Sequence, residues 1–202
     1  MGKEITENRI FDSVLEHKRW CRKELRELAK TLGEDYREEA GEAICRKVIE
    51  LDEFKAAESV FCYINLPGEP STKSIIEKAV FDGKKVSIPL CTDTSEHIMS
   101  ARLYEGEESL VSGAYGIMEP SAESKEVDPA EIDLVIAPCV SCDRWCRRLG
   151  HGAGYYDRFL SRTDCRVVAL CYEKMLCEEV PTEEFDITMY AVITENNIYR
   201  KE

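Results

Sequence analysis

Residues 147–160 read Arg-Arg-Leu-Gly-His-Gly-Ala-Gly-Tyr-Tyr-Asp-Arg-Phe-Leu, and no other stretch of the chain carries as much chemistry. Gly150, Gly152 and Gly154 alternate with other residues, so main-chain N–H groups can turn toward a ligand that comes close. A helix beginning just behind them would add a partial positive charge. Arg147 and Arg148 supply planar, permanently charged forks suited to phosphate oxygens. Asp157 could hold a cation against the same phosphates. Together these residue types describe a loop for nucleotide phosphates. It differs from Walker A, because no Lys-Ser or Lys-Thr follows the last glycine. It differs also from the dinucleotide G-x-G-x-x-G, whose third glycine falls one residue later.

Other residues acquire meaning only beside that loop. Lys18 and Arg22 are four apart, on one side of an expected helix and bordering its apolar stripe. From there basic groups could reach a cleft, although a solvated charged face is the ordinary explanation of such a pair. Glu69 and Asp186 read alone as loop acids, and Asp157 as a helix acid. His151 could touch a phosphate or merely space the loop. Cys139, Cys142 and Cys146 could hold zinc or an iron–sulfur cluster, with Cys171, Cys177 or His151 as a further ligand. Reduced, buried thiols acting as small hydrophobes are the alternative reading of the ten cysteines.

The string Arg148-Leu149-Gly150-His151-Gly152-Ala153-Gly154-Tyr155-Tyr156-Asp157 resembles the signature of the 5-formyltetrahydrofolate cyclo-ligase (methenyltetrahydrofolate synthetase) family. The likeness extends from Lys18 to Thr194 in order and spacing. It implies ATP- and Mg2+-dependent cyclisation of 5-formyltetrahydrofolate to 5,10-methenyltetrahydrofolate, with ADP and phosphate released through a phosphorylated formyl group. It implies ATP contacts at Lys18, Arg22, Arg148, Leu149, Gly150, His151, Gly152, Ala153, Gly154, Tyr155 and Tyr156. Folate contacts are implied at Ile64, Glu69 and Tyr155, and magnesium ligands at Asp157 and Asp186. No residue is assigned as nucleophile or base. Two positions depart from the pattern. Ala153 stands where Gly or Lys is usual, and Cys146 stands where a glycine is usual between Asp143 and Arg148. Arg144, Arg147 and His151 could supply compensating charge. Gly113–Pro120 resembles the family's Gly-Ile-x-Glu-Pro segment, through Gly116-Ile117-Met118-Glu119-Pro120 and the preceding Tyr115, and is given no chemical role.

The elements that would position these residues follow from periodicity. Ile10, Val14, Cys21, Leu25, Leu28 and Leu32 mark one helical stripe, stopped by Gly33. Asp35 and Glu38 suggest a capping pair for a second helix with Tyr36, Ala40, Ile44, Val48 and Leu51 buried. Strands are expected at 59–65, 85–90, 98–104, 133–137, 166–172 and 187–194. A helix carrying Ile75, Ile76, Ala79 and Val80, capped by Ser71 or Thr72 and stopped by Gly83, follows the first of them. Residues 105–129 read as a loose surface excursion. Strands separated by helices imply a mostly parallel sheet covered on both faces. Ligands in such sheets sit beyond the carboxyl ends of the strands, which points to 65–72 and 138–154. The family resemblance implies the same three-layer α/β/α architecture, similar to the sugar-isomerase/CoA-transferase-like fold.

The chain of 202 residues suits a single domain over 1–202. Its net charge of −13 argues against binding nucleic acid or anionic lipid, so any nucleotide pocket must be a local basic patch. No apolar run approaches the roughly 20 residues needed to span a bilayer. The N-terminus lacks the apolar core of a secretion signal, and Met1-Gly2 with Thr6 makes only a faint myristoylation signal. A cytoplasmic monomer acting on a small folate and ATP is expected. Three other functions compete: an ATP-dependent kinase or ligase for another N-formyl or pterin-like compound, a non-catalytic nucleotide- or folate-binding regulator, and a metal–thiolate protein.

Overall fold

The computed structural model describes residues 10–201 apart from 114, 115 and 117. The Met1-Gly2 signal, Tyr115 and Ile117 therefore lie outside the described residues. Two long helices come first, α1 (Val14–Lys30) and α2 (Glu34–Glu50), then the short α3 (Asp52–Ala56). Strand β1 (Ser59–Cys62) leads through α4 (Lys73–Phe81) to β2 (Lys85–Asp93) and β3 (Ile98–Leu103). A hairpin of β4 (Leu110–Ser112) and β5 (Met118–Pro120), then β6 (Glu126–Val127), precede β7 (Leu134–Ala137). A second hairpin of β8 (Ser141–Cys142) and β9 (Arg148–Leu149) leads into α5 (Tyr155–Leu160). The chain closes with β10 (Arg166–Leu170), β11 (Ala191–Ile193) and β12 (Ile198–Arg200).

The main sheet runs β12-β11-β10-β7-β1-β2-β3-β6. Its middle strands, from β11 to β2, are mutually parallel, and β12, β3 and β6 add antiparallel edges. Residues 134–137 are all buried, as a strand covered on both faces must be. Successive side chains of β1 show those two faces. Phe61 stacks on Phe159 of α5 with ring centroids 4.6 Å apart. Cys62 turns the other way, toward Thr72 at the start of α4, and α4 packs on α2. The architecture is thus three-layered, with a mostly parallel centre.

Strand order also locates a crevice. From β1 the chain moves outward to β2, whereas from β7 it moves in the opposite direction to β10. Loops leaving β1 and β7 diverge, and the gap between them is where doubly wound sheets take ligands. Those loops hold Glu69 and the glycine-rich run. No helix of the described residues is long and apolar enough to cross a membrane.

Several local expectations need correction. Helix α1 begins at Val14, with Ser13 Oγ accepting from Glu16 N–H, so Ile10 lies outside the stripe and is exposed. It ends at Lys30 with Thr31 as its cap; Gly33, at φ −62°, instead caps α2 by its backbone, and the Asp35/Glu38 capping pair does not form. Thr72 caps α4 without a side-chain bond because its hydroxyl donates to Tyr63 O at 2.7 Å. Val80 faces solvent. Strand β1 stops at Cys62, since Tyr63 O is taken by Thr72 rather than a ladder partner. The last expected strand shortens to β11, and β12 pairs with it unforeseen. The excursion at 105–129 is ordered into β4, β5 and β6, and β6 closes one edge of the sheet.

Candidate active site

The glycine-rich run crosses the carboxyl end of the sheet between β9 and α5. The backbone N–H groups of Gly150, His151, Gly152, Ala153 and Gly154 donate to no acceptor among the described residues. The carbonyl of Gly150 is held by Arg22 Nε at 2.8 Å, which fixes the loop and sets a guanidinium beside it. At Gly152 the φ of +111° favours glycine, and an added Cβ would sit 3.3 Å from Arg22 Cζ, so the guanidinium would have to give by a few tenths of an ångström. Gly154, at φ +80°, caps α5 in the left-handed region.

Gly154→Ala is expected to destabilise the fold by about 1–2 kcal/mol, the usual strain of a left-handed residue with a Cβ. The new methyl would also meet Arg158 Nη1 at 2.7 Å, although that flexible tip can yield. Chemical denaturation of the two proteins checks this; equal midpoints would remove the strain argument.

Two other cations, Arg148 and Arg158, flank the run, and Lys18 is held on Asp186, an acid that acts on Arg22. Lys18 is buried, with Nζ 2.5 Å from Asp186 Oδ2 and 2.9 Å from Glu183 Oε2. Arg148 is buried too; Nη2 donates to Asp157 Oδ1 at 2.7 Å and Nη1 to Pro138 O at 3.3 Å. Its Nε is buried and unpartnered within the protein. Arg158, quoted in the motif but given no role, donates to Ala153 O at 2.9 Å and flanks the loop from α5. Burial and neighbouring Arg26 lower the pKa of Arg22, while Asp186 and Asp157 pull it up, so both carboxylates face this guanidinium.

Arg147 and Arg144 are directed elsewhere. Arg147 Nε is 2.6 Å from the buried Asp143, with Nη1 on Glu179, and Arg144 lies over the Tyr199 ring. Asp143 also accepts from the N–H groups of Trp145, Arg147 and Val180, which makes it the organiser of the approach to the loop. Within that approach Cys146 has φ +64°, the left-handed conformation that favours glycine.

The two loops of the crevice touch. His151 Nε2 lies 2.8 Å from Glu69 Oε1, and Glu69 Oε2 accepts from Leu66 N–H at 2.8 Å. His151 thus faces Glu69 in this structure rather than standing clear toward an anion. Glu69, against the usual fate of a loop acid, is largely buried. Ile64 is half-buried on the same loop, packed against the core. Tyr155 is half-buried, its ring edge-on to His97 at 5.3 Å and its hydroxyl bonded with Cys91. Tyr156 packs near Phe61 with its hydroxyl buried and unpartnered; burial, then the Glu69 charge, raise its pKa. Leu149 is a core residue whose carbonyl accepts from Val140, so its side chain anchors the hairpin beneath the loop.

The run Cys139, Cys142 and Cys146 is not brought together. Cys146 lies apart, its carbonyl accepting from Met189, while Cys139 and Cys142 meet Cys171. No group of three or more His, Cys, Asp or Glu among the described residues could hold a metal ion. All ten cysteines are free thiols, with Cys91 and Cys165 the least buried. Glu119 was passed over in the sequence because its segment read as turn. It is buried in β5 and hydrogen-bonded with Cys91, close to Tyr155.

Comparison with known proteins bears on the family and the fold. The model of the 5-formyltetrahydrofolate cyclo-ligase family matches residues 14–195. A Schizosaccharomyces pombe protein named "Probable 5-formyltetrahydrofolate cyclo-ligase" is 33% identical, covering 78% of this chain and 85% of its own length. The 5-formyltetrahydrofolate cyclo-ligase of Haemophilus influenzae is 27% identical, covering 85% and 94% respectively. The solved structure of Aquifex aeolicus 5,10-methenyltetrahydrofolate synthetase superimposes with a TM-score of 0.81 at 30% identity, covering 91% of this chain and 92% of that one. On the match over residues 14–195, the chain belongs to the 5-formyltetrahydrofolate cyclo-ligase family.

Proposed function

We propose that this protein cyclises 5-formyltetrahydrofolate to 5,10-methenyltetrahydrofolate while ATP becomes ADP and phosphate. The observation that supports the reading most is the row of five unbonded N–H groups from Gly150 to Gly154, flanked by Arg22, Arg148 and Arg158. Successive backbone N–H groups of this kind suit the oxygens of a phosphate.

The chemical difficulty is that a formamide oxygen leaves poorly. Transfer of the γ-phosphoryl to that oxygen, with the bond to the β-phosphate breaking, gives an iminium phosphate. N10 then attacks the activated carbon and loses its proton, and phosphate departs with the former formyl oxygen. Phosphoryl transfer of this kind needs positioning and charge neutralisation above all. Loop amides hold the triphosphate, Arg148 and Arg22 stabilise the charge that spreads over the transferred group, and Lys18 adds charge from α1. Glu69 offers a carboxylate to the paired N–H donors of a pterin, against Ile64 and Tyr155. Substrate must take over the oxygen that His151 now faces.

Asp157 and Asp186 fit a hard divalent cation, for both are oxygen donors turned toward Arg22 and both are now neutralised by protein cations. Magnesium held there would supply charge neutralisation to phosphate oxygens. Leu149 and Tyr156 belong to this site as packing beneath it. We assign the activity to one domain over residues 1–202, acting as a cytoplasmic monomer without nucleic acid or membrane.

The test is formation of methenyltetrahydrofolate, followed by absorbance, with ATP and Mg2+ omitted in turn. Product should appear only with both. Asp157→Asn is expected to lower Mg2+-supported turnover by roughly 10–100-fold, the usual effect of weakening a metal's surroundings. Unchanged turnover would remove Asp157 from the metal site. No covalent enzyme intermediate is expected, and trapping one after denaturation would overturn the mechanism.

A further inference from the structure

Strands β7 and β10 run side by side, with Ala137 opposite Ala169. Continuing that register by two residues sets Cys139 opposite Cys171, just past the ends of both strands. Neighbouring positions in a sheet lie about 4.8 Å apart, inside the window of roughly 4.4–6.8 Å that a disulfide requires. Cys139 Sγ already reaches across to Leu170 O at 3.1 Å. Side-chain hydrogen bonds join Cys139 to Cys142 and Cys171, and all three thiols are buried. These three thiols, gathered past the ends of β7 and β10 beside the crevice, are not needed by the chemistry proposed above.

We propose that Cys139 and Cys171 are a built-in oxidation site, which closes to a disulfide under peroxide and so slows the enzyme. The sulfur to react first is Cys139. Hydrogen bonds donated by Cys142 and Cys171 hold its pKa well below the ordinary thiol range, against burial, and the charges of Arg148 and His151 act in the same direction. Cys142 and Cys171 are pushed up. The thiolate is the nucleophile in such chemistry. Cys139 sulfur attacks one peroxide oxygen, the O–O bond breaks, and a sulfenic acid and water result. Cys171 sulfur then attacks the sulfenic sulfur, the S–O bond breaks, and a second water leaves. Two thiols and one hydrogen peroxide thus become one disulfide and two waters.

The site sits where both substrate loops are tied down. Pro138, one residue before Cys139, accepts from Arg148. Tyr172, one residue after Cys171, donates from its hydroxyl to Glu69 O at 3.2 Å. Closing the bridge draws Cys139 off Leu170 and moves both neighbours. Only this loss of turnover rests on the function proposed above; formation of the bridge does not.

The experiment treats the full-length reduced protein with hydrogen peroxide and maps its disulfides by mass spectrometry, beside an activity assay before and after dithiothreitol. The expected result is a peptide pair joined through Cys139 and Cys171, with turnover reduced tenfold or more and restored by dithiothreitol. Cys139→Ser and Cys171→Ser should each abolish the pair and keep untreated activity. A bridge from Cys139 to Cys142 would overturn the assignment. So would oxidation confined to the more exposed Cys91 and Cys165. A Cys139–Cys171 bridge with unaltered turnover would overturn the control of activity while leaving the cyclisation reading intact. If the reduced protein proves inactive on 5-formyltetrahydrofolate, the peptide map still decides the bridge.

Discussion

Replacing Arg148 by methionine is expected to lower turnover by roughly a thousandfold, at the lower end of what a phosphate-directed arginine contributes to phosphoryl transfer. The reason lies in its setting. Arg148 is buried, its two terminal nitrogens engage Asp157 and Pro138 O, and its Nε is left unpartnered beneath the loop. A guanidinium withheld from water is electrostatically stronger than one at the surface. Methionine keeps an apolar stem of similar reach to fill the buried space, although the guanidinium contact over the Tyr156 ring is lost. Asp157 remains part-exposed and can be solvated once its partner is gone. Circular dichroism should therefore match the parent while methenyltetrahydrofolate forms slowly. Arg148→Lys restores the charge without the fork and should fall between the two. If the methionine variant turned over at the parent rate, Arg148 would be only a brace for Asp157.

Glu69→Gln should act on folate rather than nucleotide. A charged hydrogen bond to substrate contributes about 1.5–3 kcal/mol, so KM for 5-formyltetrahydrofolate should rise by roughly 10–100-fold with KM for ATP unmoved. Glutamine can still accept from Leu66 N–H through its carbonyl, which protects the loop turn. What it loses is the second anionic oxygen, now facing His151 and in our reading destined for the pterin. Steady-state kinetics with each substrate varied in turn separates these effects. An equal rise in both KM values would mean that Glu69 merely holds the two loops together.

Much of this was legible in the residues. Long apolar stripes revealed α1 and α2, and buried runs such as 134–137 revealed the central strands, because covered elements leave strong periodic signals. The glycine run and the family likeness located the crevice. Short edge elements escaped. Strand β12 and the strands of the hairpin at 110–120 are only three residues long, too short to show a period, and owe their form to pairing with a neighbour. Pairings between distant residues were also invisible. Arg147 reads like a phosphate ligand until the buried Asp143 claims it. The metal reading of Cys139, Cys142 and Cys146 relied on spacing along the chain. In the fold Cys146 turns away, and Cys171 arrives from the neighbouring strand. Glu119 stood in a segment that resembles the family yet received no role, because Gly116 and Pro120 around it also read simply as turn residues.

The ion pairs of Lys18 with Glu183 and Asp186 join partners 165 and 168 positions apart. They work as a clasp fastened between the opening helix and the closing stretch of the polypeptide. In the reading proposed above, the nucleotide seat is complete only when both ends of the polypeptide are in place. Bound ATP should therefore shield both extremities from proteases together.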